Sequence, residues 1–429
     1  MAQPTFSTHL GMVDILPDEV GKWQTIERIV REEAKKFNFE EIRTPIMEQT
    51  ELIARGVGQL TDIVSKEMFA FQRGDDHYVL RPECTAPVAR AFVEHHLEQR
   101  GGTQNLYYIG PMFRAEKPQK GRQRQFHQFG AEIIGADAPA ADVDIIALMM
   151  AIYERLGITN TTLKINSVGD PESRKNYTDA LTDYFRPHLS QLSDISQKRF
   201  ENNPLRILDS KEPEDQPFIE DAPVITDYLT EETSAHYEQV KELLTDLNIS
   251  FEEDPHLVRG LDYYTRTAFE LISPDLGAQD ALGGGGRYDL LIEEVGGSPT
   301  PAVGFAAGIE RLLIACEELD IELVEEEMLD VYIVTLGAKA RRWALRHLPK
   351  LRSAGLSASM DYIGRSIKAQ MKDADRENAR HTIIVGENEL NEGKFTLRNM
   401  KKSEEDTYTF DEILNRLAAD VPEVHNSVT

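Results

Sequence analysis

Apolar residues recur at three- and four-residue steps over 17–37, where Val20, Trp23, Ile26, Ile29, Val30 and Ala34 would line one side of a helix. A short strand over 40–43 and then Pro45 follow. A second strand ends at Leu80; after it come a turn holding Glu83 and Thr85 and a helix that opens near Pro87. Tyr107, Tyr108 and Ile109 predict a strand that breaks at Gly110 and Pro111, and residues 124–134 predict its returning partner. With a period of two, Phe126, Gln128, Gly130 and Glu132 share one face of the return strand, and His127, Phe129 and Ala131 share the other.

Downstream the pattern predicts a core helix over 142–156, a strand over 162–168, polar helices over 171–247 and a strand resuming at Phe251. The segment 281–291 contains a run of four glycines, and a strand of small residues from Ala302 turns at Gly308 into a helix starting near Ile309. Beyond an acidic linker over 320–330, strands and helices alternate to the final helix at 410–419. That alternation predicts a mainly parallel sheet with helices on both faces.

A chain of 429 residues is long for one core and predicts two or three domains. Its two cysteines, Cys84 and Cys316, provide neither a disulfide framework nor zinc spacing. The sequence has no 18-residue apolar stretch, and its first residues lack the pattern of a secretory leader, so a cytoplasmic protein without a membrane span is expected.

The formal net charge of −27 argues against a general polyanion binder. The charge is unevenly spread, however. Residues 201–254 hold sixteen acids against three bases, whereas 114–132 hold five bases against two acids. Screening over about 8 Å lets that local basic patch act despite a distant acidic lobe. From Asp330 onward the chain has 16 bases and 15 acids, and Arg341, Arg342, Arg346 and Lys350 cluster on one predicted helix.

The strand, the FRAE segment, the basic loop and the RQFHQFGAE return strand together resemble motif 2 of class II aminoacyl-tRNA synthetases, in the form found in histidyl-tRNA synthetases. FNFEEIRTPIME resembles motif 1, AVGFAAGIERLL resembles motif 3, and LVRGLDYY and ALGGGGRYD resemble the two histidine signatures. The resemblance spans nearly the whole chain. It implies an α+β fold: a catalytic domain at 1–325, built on an antiparallel sheet with flanking helices and carrying a helical insertion at about 170–250. A C-terminal α/β anticodon-binding domain at 326–429 would follow.

The same resemblance implies roles for individual residues. Arg259 and Arg114 would be catalytic, the first as the cation between carboxylate and α-phosphate. Glu83, Thr85, Gln128, Glu132, Tyr263, Tyr264, Gly285 and Tyr288 would hold histidine, with Glu132 and Tyr264 on the imidazole. Arg114, Glu116, Phe126, Arg287 and Arg311 would hold ATP, and Gln119, Arg122 and Arg124 would meet the tRNA acceptor end. Mg²⁺ would arrive with ATP rather than on a protein-only metal site. The implied partners are histidine, ATP, tRNA(His) and a second copy of the chain in a homodimer formed through motif 1.

The physical logic fits these assignments. An imidazole offers one donor and one acceptor nitrogen, which a carboxylate and a phenol satisfy together, and a guanidinium relieves the repulsion between carboxylate and phosphate. A rival reading is a non-aminoacylating, histidine-sensing paralogue of the ATP phosphoribosyltransferase regulatory type. Such proteins typically lack the C-terminal domain and lose the catalytic arginine, whereas this chain keeps Arg259 and residues 330–420.

Overall fold

The computed structural model describes residues 6–58, 61, 63–208, 210–258, 260–323 and 328–419. Two compact units divide the chain, Met1–Leu323 and Val324–Thr429.

An eight-stranded sheet organises the first unit. Its order is Glu40–Glu41, Gln104–Phe113, Gln125–Ile134, Ala302–Gly308, Ala281–Arg287, Thr265–Ile272, Thr162–Ser167 and Phe251–Glu253. The six central strands are antiparallel, and each short edge strand joins in parallel.

One face of the sheet packs on the helices Pro17–Lys36, Pro139–Arg155 and Ile309–Glu318. Phe129, Ala131 and Ile133 of the return strand belong to that core together with Trp23, Ile26, Ile145, Ile152 and Leu312. Alternation therefore sends Phe126, Gln128 and Glu132 to the opposite face of the sheet.

The first hairpin strand does not break at Gly110 and Pro111. It runs unbroken through Phe113, with Gly110 opposite Gln128 and Pro111 opposite His127. Its other neighbour, Glu40–Glu41, pairs only as far as Tyr107, so Pro111 sits on a free strand edge where its missing N–H leaves no ladder bond unmade. The buried Arg81 occupies that edge. Its Nε donates to the Pro111 carbonyl over 3.1 Å and its Nη1 to the Thr44 carbonyl over 2.9 Å. A Cβ at residue 110 would collide with the same guanidinium, which is why the strand carries glycine there.

Between Thr162–Ser167 and Phe251–Glu253 the chain leaves the sheet to form helices, including Pro171–Phe185, Asp194–Asn202 and Glu231–Asp246. The distal part has its own small core around Tyr177, Leu181, Phe185, Ile207 and Ile219. A single carboxylate joins the exit to the return. Asp170 Oδ1 accepts the Ser173 amide over 2.7 Å and so caps the outgoing helix. Asp170 Oδ2 accepts the hydroxyls of Thr230 and Thr233, at 2.6 and 2.8 Å, where the returning helix begins.

The second unit is a five-stranded sheet in the order Ala358–Met360, Val331–Thr335, His381–Val385, Phe395–Asn399 and Glu404–Tyr408. The first three strands are parallel and the last two antiparallel. Gly337–Ser353 and Phe410–Ala418 cover one face and Ile367–Arg376 the other. The edge strand Glu404–Tyr408 is absent from the sequence reading, because its acidic, mostly exposed residues give no apolar alternation.

Candidate active site

A cleft of about 680 Å³ opens over the polar face of the large sheet. The motif 2 hairpin contributes Arg114, Glu116, Arg122, Phe126 and Gln128, and the helix after Gly308 contributes Glu310 and Arg311. Arg114 is held by its Nε, which donates to the Pro82 carbonyl over 2.9 Å, and its guanidinium lies 5.2 Å from the centre of the Phe126 ring. Arg311 donates from Nη1 to the Ala281 carbonyl over 2.6 Å. Burial lowers the pKa of Arg311, and the nearby Arg122 lowers it further.

Glu310, the residue before Arg311, folds back onto the sheet. Its carboxylate accepts the His127 amide at 2.9 and 3.0 Å, and His127 Nδ1 lies 3.1 Å away. The helix carrying Arg311 is thereby fastened to the strand carrying Gln128.

Beside the cleft lies a buried polar cluster. Thr85 Oγ1 donates to Glu132 Oε1 over 2.8 Å, and the Tyr288 hydroxyl donates to Glu132 Oε2 over 2.6 Å. Glu132 is fully buried, and burial pushes its carboxyl up to about 8, against the two hydrogen bonds that favour the anion. Glu83 accepts the amides of Thr85 and Ala86 at 2.6 and 2.9 Å at the start of the helix Thr85–Glu94. Burial raises its carboxyl too, and the two amide bonds oppose that shift. Burial also holds the phenols of Tyr263 and Tyr288 well above the ordinary range.

The expected residues thus divide into groups. Arg114, Glu116, Arg122, Phe126, Gln128, Tyr264 and Arg311 line the cleft, while Glu83, Thr85, Glu132, Tyr263 and Tyr288 form or adjoin the buried cluster. Gln119 and Arg124 belong to the tip and base of the hairpin loop: Gln119 bridges to Arg122, and Arg124 donates to the Glu116 carbonyl over 3.1 Å. Arg259 lies outside the described residues; its neighbours Val258 and Gly260 line the cleft.

One expectation needs correction. Arg287, expected on ATP, does not line the cleft. It is fully buried, paired with the equally buried Asp142, and donates to the Ala136 carbonyl over 2.8 Å and to Asp289 over 3.2 Å. Its charge is neutralised inside the protein, on the far side of its strand from the cleft. Gly285 allows a close strand approach, since a Cβ there would strike the Gly304 carbonyl of the next strand, and Gly283 and Gly284 line the cleft. The Glu132 carboxylate also carries a phenol of its own, that of Tyr288, while Tyr264 lines the cleft.

Several lining residues went unnoticed in the sequence. Arg174, Arg199, Asn203 and Arg206 reach the cleft from the acidic insertion, and Asn166 and Asp262 reach it from the sheet and the signature loop. A helical-period reading could have placed Arg199 and Arg206 near each other, but nothing local says which way they face.

An antiparallel sheet, an arginine on a hairpin beside an aromatic ring and a second arginine in the first turn of the helix after the next strand define a class II aminoacyl-tRNA synthetase catalytic domain. Residues 11–312 match the family model for histidyl-tRNA synthetase, and residues 330–420 match that for an anticodon binding domain. The chain is 48% identical to the histidine–tRNA ligase of Natranaerobius thermophilus over 92% of its length and 94% of the relative's. It superposes on the crystal structure of apo S. aureus histidyl-tRNA synthetase with a TM-score of 0.82 and 43% identity, covering 96% of this chain and all of that one. A Bacillus halodurans structure described as an ATP phosphoribosyltransferase regulatory subunit/histidyl-tRNA synthetase is more distant, with a TM-score of 0.64 and 25% identity. The chain belongs to the histidyl-tRNA synthetase family.

Proposed function

We propose that this protein is a histidine–tRNA ligase that works in two steps. A carboxylate oxygen of histidine attacks the α-phosphorus of ATP, pyrophosphate leaves with its Mg²⁺, and histidyl-adenylate remains. The terminal ribose hydroxyl of tRNA(His) then attacks the histidyl carbonyl, AMP leaves, and the ester forms.

The observation that carries this reading is the buried Thr85–Glu132–Tyr288 cluster set against the arginine-lined cleft. A fully buried carboxylate with two donors already in place is suited to a small ligand that brings its own N–H, and an imidazole does so. Glu83 keeps lone pairs for the α-amino group beyond the two amides it accepts. Arg114 takes the α-phosphate, Phe126 and Arg311 sandwich the adenine, and Arg259 bridges the two reacting anions, as the family resemblance implies. Glu116 and Gln128 complete the ATP and histidine contacts.

Two features favour the tRNA half of the reaction. The insertion is acidic overall, yet Arg174, Arg199 and Arg206 line the cleft, so a single-stranded 3′ end meets cations there. In the second unit Arg342, Arg346 and Lys350 are exposed at four-residue steps along one helix, a stripe suited to an RNA backbone. The working form in this reading is a cytoplasmic homodimer. Among the described residues no helix is long and apolar enough to cross a membrane.

The test is pyrophosphate exchange with each of the twenty amino acids, followed by charging of total tRNA. Exchange and charging with histidine alone is the expected result. Histidine binding without exchange would favour the sensor paralogue instead.

A further inference from the structure

Arg287 and Asp289 flank Tyr288, and both are clamped from behind. Asp142, on the helix Pro139–Arg155, receives two guanidinium nitrogens of Arg287, and its carboxylate and that guanidinium are both wholly buried. Asp289 Oδ1 accepts Arg287 Nη1 over 3.2 Å, and Asp289 Oδ2 lies 3.6 Å from Arg266 Nε. Arg266 in turn donates to Glu232 over 2.6 Å and to Asp137 over 3.2 Å. His236 lies against the same group, its Nε2 3.4 Å from Asp142 Oδ2. Glu232 and His236 belong to the helix on which the insertion returns.

The backbone at this point is also unusual. The pairing of Ala281–Arg287 with Thr265–Ile272 slips between Gly286 and Arg287, so Arg266 and Thr267 bulge, and Arg266 has φ of 49°. A side chain held in the left-handed region persists only where its surroundings dictate it, and such strain gathers at functional sites. The buried ion pair and the bulge converge on one residue, Tyr288, whose hydroxyl rests on Glu132.

We propose that Asp142, Arg287 and Arg266 are positioning residues for substrate recognition: they set the Tyr288 phenol on the Glu132 carboxylate and so define the shape of the histidine pocket. The inference rests on the reading of Glu132 and Tyr288 as histidine ligands. A buried pair that only held the fold together would lower the active fraction and leave the Michaelis constants alone. A positioning pair changes the affinity for the one substrate that Tyr288 helps to hold.

The test uses Asp142→Asn and Arg266→Gly in the full-length chain, each corrected for active fraction by titrating adenylate formation. Glycine suits the φ at 266, and Arg266 is partly exposed, so this second variant decides the matter if the first does not fold. The expected result is a histidine KM raised about tenfold, with the ATP KM within roughly twofold of wild type. Adding Arg266→Gly to Tyr288→Phe should raise the histidine KM no further than Tyr288→Phe alone. Additive effects, or equal changes in both Michaelis constants, would overturn the proposal. Absence of histidine-dependent exchange in the wild-type protein would overturn the underlying reading as well, whereas normal wild-type exchange with unchanged variants would overturn this inference alone.

Discussion

Tyr288, the residue just after the strand Ala281–Arg287, donates to Glu132 over 2.6 Å although that strand and the strand of Glu132 are not neighbours. The strand between them, Ala302–Gly308, presents Gly304 opposite Glu132. A Cβ at 304 would overlap the carboxylate itself, so a missing side chain makes the space in which the bond forms. The buried Thr85–Glu132–Tyr288 cluster therefore depends on neighbouring strands and on a residue that contributes no functional group.

Replacing Gly304 with alanine should then damage both stability and recognition. Overpacking of this kind costs about 1–3 kcal/mol, and the displaced carboxylate should raise the histidine KM while leaving the ATP KM near its original value. Thermal melts and pyrophosphate exchange would check the two effects separately. A wild-type histidine KM would show that Glu132 has no part in recognition.

Arg259→Ala should abolish exchange and leave the fold intact. Loss of one fixed donor at developing charge costs on the order of 10²- to 10³-fold in rate, and a bridging cation between two anions falls at the upper end. Exchange within tenfold of wild type, with an unchanged melting curve, would assign the bridging role to another group.

The raised carboxyl of Glu132 has a consequence for stability. Burial holds its folded-state pKa at about 8, against an ordinary value of 4.5. Between those values the folded chain keeps a proton that the unfolded chain has released, so the contribution of this group to stability falls as pH rises from 4.5 to 8 and then levels off. Melts of wild type and Glu132→Gln at pH 5 and pH 8.5 isolate the effect: the variant should gain on wild type at the higher pH. Parallel shifts in both proteins would refute it.

Asp170 works in the opposite sense. Against the desolvation imposed by its surroundings, the hydroxyls of Thr230 and Thr233 and the Ser173 amide hold its carboxyl down to about 2, below the usual 3.8. Its stabilisation is present above pH 4 and is lost as pH falls towards 2. Asp170→Ala removes a cap from one helix and an anchor from a second, at about 1 kcal/mol each. Hydrogen exchange should quicken in Pro171–Phe185 and Glu231–Asp246 while the sheet stays protected. Unchanged exchange in both helices would show that the insertion is held by other contacts.

Removal of residues 326–429 should weaken tRNA charging far more than adenylate formation, since the chemical groups named above all lie in the first unit. Comparison of exchange with charging in the truncated protein gives the ratio directly. Equal losses would mean that the second unit supports the first rather than binding RNA.

Local pattern was a good guide where a residue's neighbours in sequence decide its environment. Period two along Gln125–Ile134 separated Phe129 and Ala131 from Phe126, Gln128 and Glu132, because successive side chains of a strand point to opposite faces even where both are covered. The helical stripe from Trp23 to Ala34 was legible for the same reason. Arg114 and Arg311 were also legible, since their motifs set each arginine at a short, fixed distance from a turn.

Arg287 was misread because its partner, Asp142, lies 145 residues earlier in the chain. Sequence alone determined which side chains could carry chemistry and on which face of its own strand or helix each would stand, since both follow from backbone periodicity. Tertiary structure alone decided which charges meet: that Arg287 would be neutralised in the core, that the insertion's arginines would turn inward, and that Glu132 would find Tyr288 across a glycine. Those pairings depend on strand order and on the close approach of distant segments, and burial then makes each one a choice between a satisfied group and a costly one.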